Sequence, residues 1–173
     1  MQTFTSASTS TNRSKLPRVY TRARFSSCFI LDYGCGKYTD HIRDHLGQQK
    51  RVLLPFDPFN QPGRVNLVTM KLIDVCKRER FPVDCVCSNV LNVIDSDGEV
   101  SRICYQLEQL VTTTGGTLFV TVYDGDRSGV GRQTGRDQYQ RNEPLREYLR
   151  FFHNATVRNG MIIVNGGNNN ETY

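Results

Sequence analysis

Hydrophobic and polar positions along the chain fall into two kinds of segment. Short apolar runs are flanked by glycine, proline or acid. They comprise Ser26 to Leu31, RVLLPF at 51–56, VDCVC at 83–87 and GGTLFVTVY at 115–123. Such runs suit buried strands of a parallel sheet. Pro55 places the end of the second run near itself, because proline is awkward inside a strand. Between the runs the spacing turns helical. In DHIRDHL, Asp40 is a cap, Ile42 and Leu46 share a face, and Gly47 supplies a stop. Residues 65–80 have strand composition in their first half and helical spacing in their second. The segment 83–94 begins as a strand and turns into a loop near Ser88 and Asn89, and Val100, Ile103, Leu107 and Leu110 form a helical stripe. Residues 124–142 are polar, with Gly and Arg throughout, and read as a loop; 144–152 read as a short helix. ATVRNGMIIVN closes the pattern as a hairpin turning at Asn159-Gly160. The order predicts an α/β fold: a Rossmann-like three-layer sandwich with a mostly parallel sheet and an antiparallel C-terminal hairpin strand.

Composition changes the picture mainly at the ends. With 173 residues the chain has the length of one domain. Residues 1–16 are rich in Ser and Thr, and the first acid is Asp32; before it come Arg13, Lys15, Arg18, Arg22 and Arg24. The net charge of +5 is therefore largely an N-terminal excess, able to meet phosphates. Residues 1–20 read as a disordered basic arm, 21–165 as the domain, and 166–173 as a disordered polar tail. No apolar run approaches a membrane span and no signal-peptide core is visible, so the expectation is a soluble, cytoplasmic protein. The six cysteines, at 28, 35, 76, 85, 87 and 104, form no C-x-x-C pair and read as reduced core residues.

The candidate chemistry sits in ILDYGCGKYTD, residues 30–40. Ligands bind beyond the carboxyl ends of parallel strands, and Gly34 and Gly36 let the backbone approach one closely. Two ligand classes use such a loop. A dinucleotide would take G-C-G-K-Y-T as a near-fingerprint, with Asp57, 21 residues after Gly36, as the ribose acid. S-adenosylmethionine instead brings a sulfonium and an amino group. Asp32 separates the two: beside a pyrophosphate it is a like charge costing on the order of 1 kcal/mol even when screened, whereas it attracts both cationic groups. No P-loop motif occurs. His41 and His45 have the spacing of a zinc pair but no third ligand, so no metal is expected.

LDYGCGKYTD, followed by FDPF and VDCVCSNVLNVI, resembles the class I S-adenosylmethionine-dependent methyltransferases, and more closely a subset of small bacterial and phage-type methyltransferase-like proteins. The resemblance spans roughly residues 26–164. It implies S-adenosyl-L-methionine as cofactor, held by Asp32, Tyr33, Gly34, Cys35, Gly36, Asp57, Pro58 and Asn89. Asp32 would face the methionine amino group, Asp57 would accept both ribose hydroxyls, and Pro58 and Phe59 would pack near the adenine. Tyr38 stands where the family usually has a third glycine, narrowing the methionine end. The implied activity is methyl transfer to an unidentified acceptor. The Arg-rich segment after the clearest strand offers Arg127, Arg132, Gln133, Arg136 and Gln140 as acceptor contacts; with the basic arm it tilts the acceptor towards nucleic acid. A non-catalytic S-adenosylmethionine-binding module and an NAD-dependent oxidoreductase are the alternatives.

Overall fold

The computed structural model describes residues 2–167. Its strands are β1 (Phe29–Tyr33), β2 (Val52–Phe56), β3 (Val83–Ser88), β4 (Thr117–Thr121), β5 (Arg132–Gly135), β6 (Gln138–Gln140), β7 (Ala155–Arg158) and β8 (Met161–Asn165). Its α-helices are α1 (Arg18–Arg22), α2 (Asp40–Gln48), α3 (Gly63–Glu79) and α4 (Asp97–Thr114). Six strands form one sheet in the order β2-β1-β3-β4-β8-β7; β5 and β6 make a separate hairpin. β2, β1, β3 and β4 run parallel, and β8 is antiparallel to both its neighbours. The β7–β8 turn is Asn159-Gly160, both at positive φ (54° and 70°), as a two-residue hairpin of this hand requires.

Alternation along the strands builds two cores. Leu31, Leu54, Cys85, Cys87, Leu118 and Val120 pack on one face with Ile73 and Cys76 of α3 and Val100, Ile103 and Leu107 of α4. Ile30, Leu53, Val86 and Phe119 pack on the other with Val19 and Tyr20 of α1 and Ile42 and Leu46 of α2. Cys76, Cys85, Cys87 and Cys104 are buried, reduced core residues.

Several expectations change. Pro55 lies inside β2 rather than ending it. β2 is an edge strand, and Val52 and Phe56 are bonded towards β1 through Cys28 and Gly34, so the missing N–H of Pro55 faces outward. The Pro55 carbonyl is taken by Thr69 Oγ1 at 2.7 Å. Residues 65–79 are helical throughout and Arg80 caps the helix, the expected helix at 144–152 is a 3-10 segment (Leu145–Phe151), and the expected loop 124–142 contains the β5–β6 hairpin. Gly47 does not stop α2, which ends at Gln48.

The N-terminal segment has defined contacts where its composition suggested disorder. Val19 and Tyr20 are buried. The Thr3 amide donates to both oxygens of Asp95 (2.9 and 3.0 Å), the Thr5 amide to Asp137 Oδ1 (2.9 Å), and the Ser6 amide to the Asp137 carbonyl (2.9 Å). Phe4 stacks on Tyr139 with centroids 5.9 Å apart. A few apolar anchors, diluted among Ser and Thr, account for the difference. At the other end, the Gly166 amide reaches the Gly116 carbonyl (2.8 Å), and the rest of the expected tail, 168–173, lies outside the described residues. Among the described residues no helix is long and apolar enough to cross a membrane.

Candidate functional site

A cavity of about 1130 Å³ opens at the carboxyl ends of β1, β2 and β3. All eight residues expected to hold a cofactor line it: Asp32, Tyr33, Gly34, Cys35, Gly36, Asp57, Pro58 and Asn89.

The loop after β1 is held from two sides. Phe56, the last residue of β2, accepts from the amides of Gly34 (2.7 Å) and Cys35 (3.2 Å) through its carbonyl. Gly34 and Gly36 take φ of 73° and 74°, the region that favours glycine. The space where their Cβ atoms would stand is not left for a ligand, contrary to expectation. A Cβ on Gly34 would come within 2.3 Å of Val90 Cγ2, and one on Gly36 within 2.4 Å of Ser10 Oγ. Ser10 Oγ also accepts from the Lys37 amide at 2.6 Å, so the N-terminal segment sits directly on the glycine loop.

Two buried acids show how differently the fold treats carboxylates. Asp84, at the amino end of β3, accepts from the backbone amides of Ser26 (2.7 Å), Ser27 (2.9 Å) and Thr117 (2.8 Å). Asp32 is 3% exposed, faces the cavity, and has no comparable set of donors. Burial pushes its carboxyl up to about 7; the neighbouring Tyr20 hydroxyl offsets part of that rise and the Asp57 charge adds to it. The Tyr20 hydroxyl is itself buried and forms no hydrogen bond of standard geometry, so the contact is one of proximity. Burial, then the Asp32 and Asp57 charges, push the Cys35 thiol far above its ordinary value, which makes it an inert wall residue rather than a nucleophile. Tyr33 stacks on Phe56 with centroids 5.2 Å apart.

Asp57 is already engaged. Its Oδ1 accepts from the amides of Phe59 and Asn60 (both 2.9 Å), and its Oδ2 from the Gly36 amide (3.0 Å) and Asn60 Nδ2 (3.3 Å). Asn66 of α3 brackets its backbone, accepting from the Asp57 amide and donating to its carbonyl. A carboxylate offers about four acceptor positions, so ribose hydroxyls would have to displace at least one of these donors. Asn89 holds a left-handed φ of 57° where β3 ends, its amide bonded to the Thr121 carbonyl (2.8 Å). Beside it the Ser88 and Thr121 hydroxyls pair at 2.9 Å.

The five expected acceptor contacts separate. Arg132 and Gln140 line the cavity; Arg127, Gln133 and Arg136 do not. Gln140 is an internal brace, accepting from Asn92 Nδ2 (3.1 Å) and donating to the Tyr123 carbonyl (2.9 Å). Arg127 pairs with Asp124 (3.0 Å) and Gln133 folds back onto the Gly135 carbonyl (2.8 Å). Sequence reasoning missed Tyr20 and Ser10. Tyr20 had one signal, the apolar pair Val19-Tyr20 inside a polar arm; a serine among many gave none. No family model, curated protein or solved structure matches the chain.

Proposed function

We propose that the chain is an S-adenosylmethionine-dependent methyltransferase built on a Rossmann-like three-layer sandwich. The observation that supports this most is Asp32: a buried carboxylate facing a cavity, without the amide donors that satisfy Asp84. A buried acid of this kind calls for a cationic ligand, and S-adenosylmethionine carries both an ammonium and a sulfonium. Asp32 and the Gly34–Gly36 loop would hold the methionine end. Asp57, Pro58, Phe59 and Asn89 would surround the nucleoside, and all of these residues line the one cavity. At about 1130 Å³ that cavity slightly exceeds the usual range of about 300–1,000 Å³ for one small ligand, leaving room for an acceptor beside a cofactor.

When bound, the cofactor supplies an electrophilic methyl carbon. The work left to the chain is to orient the reactants and exclude water. A second reading, a binding module without turnover, draws on Tyr38, which lines the same cavity with the Arg13 guanidinium 5.0 Å from its ring centroid. A nicotinamide-dependent oxidoreductase would have to bring a diphosphate towards Asp32.

Thermal-shift measurements with S-adenosylmethionine, S-adenosylhomocysteine and NAD test the proposal. A ligand at 100 times its dissociation constant adds about 2.7 kcal/mol. Stabilisation by both adenosyl compounds is the expected result. A shift with NAD alone rejects the proposal. A shift with the adenosyl compounds but no transfer of labelled methyl from S-adenosylmethionine to any acceptor leaves the binding module.

A further inference from the structure

The charges on the cavity wall bear on what can be methylated. Among the described residues its ionisable carboxylates are Asp32, Asp57, Glu99 and Asp126, and its cations are Arg102 and Arg132. Both arginines have an acid as partner: Arg102 Nε lies 3.2 Å from Glu99 Oε2, and Arg132 lies 3.5 Å from Asp126. Even with Asp32 protonated, acids outnumber cations. The basic residues of the N-terminal segment do not offset this. Arg13, Lys15, Arg18, Arg22 and Arg24 are all absent from the wall; Arg13 is laid over Tyr38, and Arg22 reaches the Asn159 carbonyl at 3.5 Å. A phosphodiester brought here would meet like charge, and each guanidinium on the wall already has an acid beside it, the reverse of what nucleic-acid sites provide.

The remaining wall is hydroxyl, amide and tyrosine. Thr9, Thr11 and Asn12 line it from the N-terminal segment, Ser88 and Asn89 from the end of β3, and Tyr123 and Tyr139 flank it. The N-terminal segment also roofs the cavity, tied to Asp95 on one side and to Asp137 and Tyr139 on the other. A polymer would have to pass an extruded base under this strap with its phosphates set against the acids.

Resting on the cofactor reading above, we infer that the methyl acceptor is a small, phosphate-free molecule bearing uncharged polar groups, enclosed beneath the N-terminal segment, and not a nucleic acid. The methyl group passes from the sulfonium to an oxygen or nitrogen of the acceptor; the carbon–sulfur bond breaks, S-adenosylhomocysteine leaves, and the acceptor's proton goes to water.

The test uses the full chain in two stages. Equilibrium dialysis first measures S-adenosylmethionine binding alone. Methyl-labelled S-adenosylmethionine is then supplied with single-stranded DNA, duplex DNA, RNA, or the phosphatase-treated low-mass dialysate of a cell extract. Label is expected in the low-mass fraction roughly tenfold faster than in any polymer. Saturating DNA is expected to leave S-adenosylmethionine affinity unchanged. Label entering DNA or RNA as fast as the low-mass fraction or faster, or none in the low-mass fraction, overturns the inference while the cofactor reading stands on the dialysis. Absence of cofactor binding in that dialysis takes down both.

Discussion

At residue scale the fold treats two of its buried acids very differently. Asp84 staples strand ends together with three backbone amides, whereas Asp32 has its carboxyl raised to about 7, chiefly by burial. The sign of the consequence follows from linkage. The unfolded chain releases this proton near 3.8, and the folded chain keeps it to about 7. Between those values the folded state binds more protons, so Asp32 lowers stability as pH rises through that window and adds no further change above it. Asp32→Asn removes the penalty, and we expect it to stabilise the unliganded protein at pH 8 by roughly 1–3 kcal/mol. The same substitution should abolish the stabilisation by S-adenosylmethionine. In the unsubstituted chain, affinity should rise roughly tenfold per pH unit up to pH 7 and level off above it. Chemical denaturation and titration calorimetry at pH 5.5, 7 and 8 check both; an Asn variant less stable at pH 8 would make Asp32 a structural residue like Asp84. Asp57 gives the opposite expectation. Losing four hydrogen bonds to the loops that follow β1 and β2, Asp57→Ala should cost about 2–3 kcal/mol even without ligand.

At the scale of elements, Pro55 guards the open edge of the sheet. Leu53 and Pro55 are the β2 residues whose backbone faces away from β1; proline has no N–H to offer, and Thr69 occupies its carbonyl. Edge strands with free donors and acceptors recruit other strands. Pro55→Val restores an outward N–H on an apolar strand, and we expect concentration-dependent association that light scattering detects and the unsubstituted chain lacks. Pro55 also shows why some of the fold could not be read from the sequence. Proline marks the end of a strand unless that strand is at an edge, and edge position is set by the whole topology. The parallel strands, α4 and the Asn159-Gly160 turn were legible because local periodicity and turn chemistry fix them. The β5–β6 hairpin was not: its residues are polar, and its strands are held by Asn92, Tyr123 and the N-terminal segment rather than by an apolar face of their own. In the site, the glycine loop and Asp57 announced themselves by spacing. The engagement of Asp57 by Asn60 and the presence of Ser10 on the glycine loop depend on contacts no spacing encodes.

At the scale of the whole molecule, one segment joins parts that the sheet holds apart. The N-terminal strap bonds to Asp95 beyond β3, to Asp137 in the β5–β6 turn, and to the glycine loop through Ser10. Both anchoring carboxylates are held below their ordinary range. For Asp137 the cause is the hydrogen bonds from Thr5; for Asp95 burial works the other way and the Thr3 hydrogen bonds prevail. Depressed acids hold the strap fully above their unfolded values and lose it as pH falls through the lower folded ones, so near neutral pH both anchors carry their charge. Closure over a ligand slows its escape more than its entry, because affinity differences within one site fall mainly on dissociation. Asp137→Ala removes the bonds to the Thr5 amide and hydroxyl without replacing any residue that lines the cavity. We expect hydrogen exchange at residues 3–12 to accelerate, S-adenosylmethionine to dissociate roughly tenfold faster, and the thermal midpoint of the unliganded protein to move by no more than about 2 °C, since the anchor is exposed and lies outside both cores. Faster exchange with an unchanged dissociation rate would detach the strap from the site's chemistry and leave it as a surface brace; a fall in the midpoint of many degrees would place it within the folding core.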